Sequence, residues 1–444
     1  MIIAHALRLT ALACVLSTAA AAQARPSLSG EERRIAAYVD AHGAEAVALL
    51  ERTVNINSGT LNPAGVRAVY DALAPELQRL GFEVRYAALP AEMGRGGHLV
   101  ASLRPQGGRV QGRKVLLIGH LDTVFEEDSP FQRFELVNDS VARGPGVGDM
   151  KGGNVVIVQA LKALASVGAL NGSHITVIMT GDEEAPGRPL EVARAELLQA
   201  GREADVALGF EGGSRGGDNV ARAVIARRSS SSWRLDVAAR PAHSSGIFSE
   251  GVGAGAIYEA ARIIDRFYAE VRGEENLTFN VGLILGGTEV AYRADEARGT
   301  AFGKTNVVPE TVVATGDIRT LSDEQLQRTR ERMRHIVQNG LPRARAGITF
   351  EDGYPSMPPT EANQELLRLY STASEGLGLG PVLPFDPGRR GAADVSFVAS
   401  HVDAAMDGLG IYGSGSHTVE ETAELRSLPL QAKRAAILIY RLTR

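Results

Sequence analysis

Between residues 114 and 210 the sequence alternates strand and helix patterns, and this alternation limits the fold more than any other feature. Apolar runs at 115–118, 175–180 and 206–210 read as strands, and the stretches 153–167 and 190–200 between them read as helices. Strands spaced by helices predict an α/β fold with a mostly parallel central sheet covered by helices. In such a sheet the crevice beyond the carboxyl ends of the strands is where ligands bind.

Each of these strands runs into residues suited to that crevice. "VLLIGHLD" ends on His120 and Asp122, "ITVIMTGDEE" on Glu183 and Glu184, and "DVALGFEGG" passes through Glu211. The loop "RGPGVGDMKGGN" places Asp149 at the mouth of the next helix, its glycines permitting the tight turn. Near the C-terminus "YGSGSHTVEE" presents His417. Several carboxylates brought this close cannot all stay ionised without a compensating cation, and imidazole with carboxylate oxygen is a donor set suited to zinc. Taken singly, a histidine after a strand or a Glu-Glu pair is an ordinary feature of any surface. The ordered set H-x-D, G-x-G-x-x-D-M-K-G-G, D-E-E, F-E-G and G-x-H is not. Asp182, beside the pair, reads as a structural turn or helix-start residue.

A second unit interrupts the first. From about Asn219 the pattern becomes strand, strand, helix, strand, strand, helix, strand, with Trp233, Leu235 and Val237 alternating on one strand face. Helices are expected at 253–271 and 323–338, and strands at 277–285, 307–319 and 347–352. This suits a ferredoxin-like two-layer α/β domain over 219–355, inserted between 25–218 and 356–444. The basic run Arg328 to Arg334 reads as a solvated helix face, and the pair Arg389-Arg390 as a solvated basic turn first and as a partner for an acidic substrate second.

Charge and composition remove some classes. The 444 residues carry a net charge of −5 with 22% charged residues, leaving no basic footprint for nucleic acid. Residues 1–24 read as a signal peptide: one Arg and one His, no acid, a small apolar run, then Ala22-Gln23-Ala24. The run is shorter than the ~20 residues a membrane span needs, so no stable anchor is expected. Export to the periplasm or the medium follows, with cleavage near Ala24. Cys14 is the one cysteine of the chain, so the mature protein would have neither disulfides nor thiol chemistry.

The ordered motifs resemble those of the secreted zinc exopeptidases and deacylases, the family of glutamate carboxypeptidase, aminoacylase, succinyl-diaminopimelate desuccinylase and the bacterial di- and tripeptidases. The resemblance spans the whole mature chain. It implies two zinc ions, or another divalent metal, bridged by Asp149, one held by His120 and Glu211 and the other by Glu184 and His417. It further implies that Glu183 is the general base on the bridging water and that Asp122 orients His120. The inserted domain is then a lid that forms a homodimer. In it, His243 of "RPAHSS" resembles the histidine that reaches the scissile carbonyl oxygen, and Asn306 of "KTNVVPE" and Arg319 of "GDIRT" resemble residues that contact the substrate or its carboxylate. Asp394 of "GAADVSF" matches an acidic family position, although the preceding "GRR" departs from the usual glycine-only approach.

The reaction implied is metal-assisted amide hydrolysis of a small peptide or N-acyl amino acid. Glutamate at position 211 resembles the carboxypeptidase and deacylase branches, whereas aspartate is usual there in the di- and tripeptidases. Release of a C-terminal amino acid, as in glutamate carboxypeptidase, is the first reading. An N-acyl-amino-acid deacylase is the second, and a zinc-binding module without activity is a third.

Overall fold

The computed structural model describes residues 27–444 apart from 106, 108, 109 and 295. The signal peptide expected over residues 1–24 and its expected cleavage site fall outside the described residues. None of the described helices is long and apolar enough to cross a membrane.

A six-stranded sheet lies at the centre, in the spatial order Glu83–Ala87, His98–Leu103, Ile175–Thr180, Val115–His120, Val206–Gly209, Ala404–Met406. The last four run parallel, and His98–Leu103 is antiparallel to both of its neighbours. Because side chains alternate along a strand, Val115 and Leu117 enter the core shared with the helices Lys151–Ser166 and Ser427–Leu442. Leu116 and Ile118 enter the opposite one, with Ala195–Glu203 and Val395–Val398. All six residues of Val115–His120 are buried, as two-sided cover requires.

The helix expected at 190–200 is two helices, Leu190–Ala193 and Ala195–Glu203. Arg194 breaks them with φ −105° and ψ 9°, and its guanidinium turns inward to the buried carboxylates of Asp182 and Asp394.

A second sheet has the order Leu283–Gly287, Thr311–Arg319, Ser230–Ala239, Ala344–Tyr354, with every neighbouring pair antiparallel. Helices Ala256–Arg266 and Asp323–Gln338 cover one face and pack on Trp233, Leu235 and Val237 in a separate core. Strand-helix-strand-strand-helix-strand, with the first strand between the third and fourth, is the ferredoxin-like arrangement.

Four details differ from the sequence reading. The strand expected at 277–285 is broken into Thr278–Phe279 and Leu283–Gly287. A hairpin of Glu289–Arg293 with Arg298–Phe302 follows it; no residue of either strand is buried, so no apolar signal marks it. The segment "ARAVIARRSS" does not open the second sheet. Its Ala221–Ala223 pairs in parallel with Val382–Pro384, and Ala221, Ala223 and Ile225 belong to the main core, so the chain enters the second sheet at Ser230 rather than near Asn219. Finally, Arg330 in the expected solvated basic face is buried and paired with Asp352 at 2.5 Å.

Candidate metal centre

Three strand ends and two loops meet at the carboxyl edge of the central sheet. His120 is the last residue of its strand, and its carbonyl accepts from Asn154 Nδ2 at 2.6 Å, which ties the strand end to the helix that follows Asp149. That helix approaches the Glu211 strand end very closely: a Cβ on Gly153 would lie 2.0 Å from the Phe210 carbonyl oxygen, so only glycine fits there. His417 arrives from a glycine-serine loop, its own backbone in the left-handed region at φ 65°.

The side chains form two half-sites around one carboxylate. Asp149 Oδ1 lies 3.3 Å from His120 Nε2, and Asp149 Oδ2 lies 3.2 Å from His417 Nε2. On the first side Glu211 Oε1 stands 3.6 Å from His120 Nε2; on the second Glu184 Oε2 stands 3.2 Å from His417 Nε2. Ligand atoms of His120, Asp149 and Glu184 all fall within 4.8 Å of one another. Asp122 sits behind, wholly buried, with Oδ1 3.3 Å from His120 Nδ1. Its oxygens also accept from the backbone N–H groups of Glu183 at 3.0 Å and Glu184 at 3.1 Å, and from the Thr60 hydroxyl at 2.7 Å.

The electrostatics show how closely the charges are packed. Burial, with the nearby Asp149 carboxylate, pushes Glu211 up to about 8. Burial likewise raises Glu184 and lifts Glu183 well above the carboxylate range, Glu211 and Asp394 reinforcing the latter. Burial acts to raise Asp149 too, but its bonds to His120 and His417 outweigh this and hold it low. His417 is raised to about 11 by its bonds to Asp149 and Glu184. His120 rises despite its burial because Asp122 and Asp149 accept from it. Two imidazoles and three carboxylates that can ionise together only beside positive charge are the donor set of a divalent cation pair.

Further buried residues hold the ligands in place. Glu421 accepts from the backbone N–H groups of Gly146 at 3.1 Å, Gly148 at 2.8 Å and Asp149 at 3.0 Å, fixing the loop that carries the central carboxylate. Asp407 accepts from the Glu211 N–H at 3.2 Å and pairs with the buried Arg227 at 2.7 Å. The sequence reading named neither acid. Asp407 follows a strand, as Glu211 does, but that strand is only three residues long; Glu421 lies four residues past His417 in a quoted motif.

Asp182, read as a structural turn residue, is buried, pairs with Arg194 at 2.6 Å and accepts from the Gly187 N–H at 2.8 Å. Other expectations are altered. Asp394 is buried, with one oxygen on Arg194 at 2.8 Å and the other on the Thr180 hydroxyl at 2.5 Å. Arg390 is no solvated turn, because its Nη2 donates to the Ser214 hydroxyl at 2.7 Å and to the Gly212 carbonyl. The three residues expected to meet the substrate have other partners. His243 is exposed, its Nδ1 2.8 Å from Ser245 Oγ, and its neighbour Ser244 donates to the Asn306 carbonyl at 2.9 Å. Arg319 pairs with Asp317 at 2.9 Å.

A mostly parallel sheet carrying clustered imidazole and carboxylate donors at its carboxyl edge is the framework of a metal-dependent enzyme. The chain belongs to peptidase family M20/M25/M40, whose sequence pattern matches residues 116–441. As a member it is a metallo-exopeptidase. It is 26% identical over 440 residues to carboxypeptidase G2 of Pseudomonas sp. (strain RS-16), covering 97% of each chain. Aminopeptidase PepT from Bacillus cereus shares its fold with a TM-score of 0.68 at 20% identity, over 90% of this chain and 99% of that one. The metallo-carboxypeptidase Sso-CP2 from Sulfolobus solfataricus gives 0.64 at 15% identity, over 90% and 99% of the two chains. A dinuclear metal-binding peptidase of the M20 family from Bacillus subtilis gives 0.60 at 13%, over 91% and 99%.

Proposed function

We propose that the protein is a two-metal carboxypeptidase that releases a C-terminal amino acid, glutamate first among candidates, from a small peptide or N-acyl amino acid. The observation that carries this reading is the placing of the two Asp149 oxygens, each against a different histidine with its own glutamate. Asp149 would bridge two cations, zinc by the chemistry of the donors, with His120 and Glu211 on one and Glu184 and His417 on the other. When bound, such ions supply positive charge that acidifies a water and polarises the scissile carbonyl.

The chain's own groups do the rest. Glu183, next to a ligand but in neither half-site, takes the proton of the water and passes it to the leaving nitrogen; burial and neighbouring acids raise its proton affinity towards that task. Asp122 fixes His120 through Nδ1 and both glutamates through their backbone N–H groups. His243 and Asn306, exposed on adjoining backbone, would offer donors to the carbonyl oxygen from a second copy of the chain, and Arg319 a fork for the free carboxylate. A homodimer through the second domain belongs to this reading, supported by exposed Ile257, Tyr258 and Ile284. So does export, supported by the first 24 residues of the sequence.

The test is amino-acid release by the zinc-loaded protein from a panel of short peptides and N-acyl amino acids, with and without a chelator. Chelator-sensitive release of C-terminal glutamate is expected. Release confined to simple acyl substrates would make it a deacylase, and no release from any substrate would overturn the reading.

A further inference from the structure

Tyr354 ends the last strand of the second domain, and its hydroxyl reaches the turn that carries Glu183. It donates to the Glu183 carbonyl oxygen at 2.7 Å and accepts from Arg194 Nη2 at 3.1 Å. Chemistry fixes that direction, since a guanidinium has only donors and a carbonyl only accepts. Burial keeps the phenol protonated by raising its pKa well above the usual value.

Arg194 is itself held on three sides. It meets Asp182 Oδ1 at 2.6 Å, the Asp182 carbonyl at 3.2 Å and Asp394 Oδ1 at 2.8 Å, while Asp394 Oδ2 takes the Thr180 hydroxyl at 2.5 Å. The turn from Thr180 to Glu183 is thus pinned by buried groups of its own domain and by one hydroxyl from the other. Tyr354 also lines a cavity of about 960 Å³ at the junction of the domains, with Leu198, Leu326, Phe350 and Phe397. The ring itself packs against Phe397, with centroids 4.9 Å apart.

We propose that Tyr354 is a positioning residue for Glu183, coupling the attitude of the second domain to the placement of the carboxylate that moves the proton. The proposal rests on the reading of Glu183 as base. A shift of about 1 Å in a reacting group costs on the order of a hundredfold in rate, so one hydrogen bond to the peptide of the base is enough to matter. The bonded carbonyl lies in the peptide group that Glu183 shares with Glu184, so bound metal must be measured beside the rate to separate placement of the base from loss of a ligand.

The experiment is a double-mutant cycle on the zinc-loaded full chain, with the best substrate of the panel above. Tyr354→Phe keeps the ring and removes the hydroxyl; kcat is expected to fall about tenfold or more, with KM changed less than twofold and metal content unchanged. In a Glu183→Gln background the same change should have no further effect. Phe397→Leu, which removes the ring tilted against Tyr354 with centroids 4.9 Å apart but keeps the hydroxyl, should leave kcat near wild type. An unchanged kcat in Tyr354→Phe overturns the proposal, as does an equal loss in Phe397→Leu. Additive losses in the cycle would also overturn it, leaving the base in place and removing the tyrosine's link to it. Full activity in Glu183→Gln alone would remove the base and the proposal with it.

Discussion

Replacing Asp122 by asparagine disturbs the metal centre without touching a proposed ligand. The carboxylate accepts from two backbone N–H groups, Glu183 on Oδ1 at 3.0 Å and Glu184 on Oδ2 at 3.1 Å, while Oδ1 also faces His120 Nδ1 at 3.3 Å. Asparagine keeps only one oxygen. Whichever way its amide turns, the NH₂ group confronts one of the two N–H groups, so a buried acceptor becomes a donor facing a donor. The Thr60 hydroxyl, 2.7 Å from Oδ2, can rotate to accept and adds little to the loss. One lost bond to a charged acceptor costs about 1.5–3 kcal/mol. At 1.4 kcal/mol per factor of ten, this is roughly a 10- to 100-fold loss in metal affinity. Competition against a chelator of known affinity measures it directly, with circular dichroism to show that the fold persists. Both half-sites should weaken, because His120 belongs to one and Glu184 to the other. A variant that bound metal as tightly as the parent would refute the account of Asp122 as the common support.

Two further outcomes are expected. Arg194→Met leaves Asp182 and Asp394 buried without their cation, a loss of about 3–5 kcal/mol that thermal unfolding would show as a clear drop in Tm; an unchanged Tm would mean that the pair is not holding the turn. Metal binding should release protons, because His417, raised to about 11, is protonated at pH 8 and must lose that proton to bind, Glu211 at about 8 is half-protonated there, and the upward shift of His120 acts in the same direction. Lower pH fills these groups further, so affinity must fall as pH falls from 8 to 6. Calorimetry in buffers of different ionisation enthalpy should give more than one proton per cation pair at pH 8, and a heat independent of buffer would contradict the proximity of these charges.

The legible parts of this protein are those whose signal is local. Ile175–Thr180 reads from the sequence as an apolar run with a polar tail, and the structure gives it the same bounds; Asp323–Gln338 reads equally well from its helical period. Ala404–Met406 is too short for any pattern, and the hairpin of Glu289–Arg293 and Arg298–Phe302 buries no side chain that could advertise it. At the metal centre, His120, Asp149, Glu183, Glu184 and Glu211 stand out because polar residues end apolar strands or open a helix. Their supports do not stand out. Glu421 acts on the Asp149 backbone 272 residues earlier and Tyr354 on Glu183 across 171, while Arg227 finds Asp407 across 180. Partners so distant leave no trace in local spacing, so tertiary folding alone assigns them. The helix break at Arg194 has the same origin, a buried ion pair with Asp394 200 residues away that outweighs helical propensity.

The most direct test of a two-metal hydrolase with a dedicated base compares Glu183→Gln with Glu184→Gln, measuring bound metal by elemental analysis and turnover on the same samples. Glu183→Gln should retain both metals and lose most turnover, and Glu184→Gln should lose metal. Metal loss in Glu183→Gln with full occupancy in Glu184→Gln would reverse their roles, and undiminished turnover in both would contradict the mechanism.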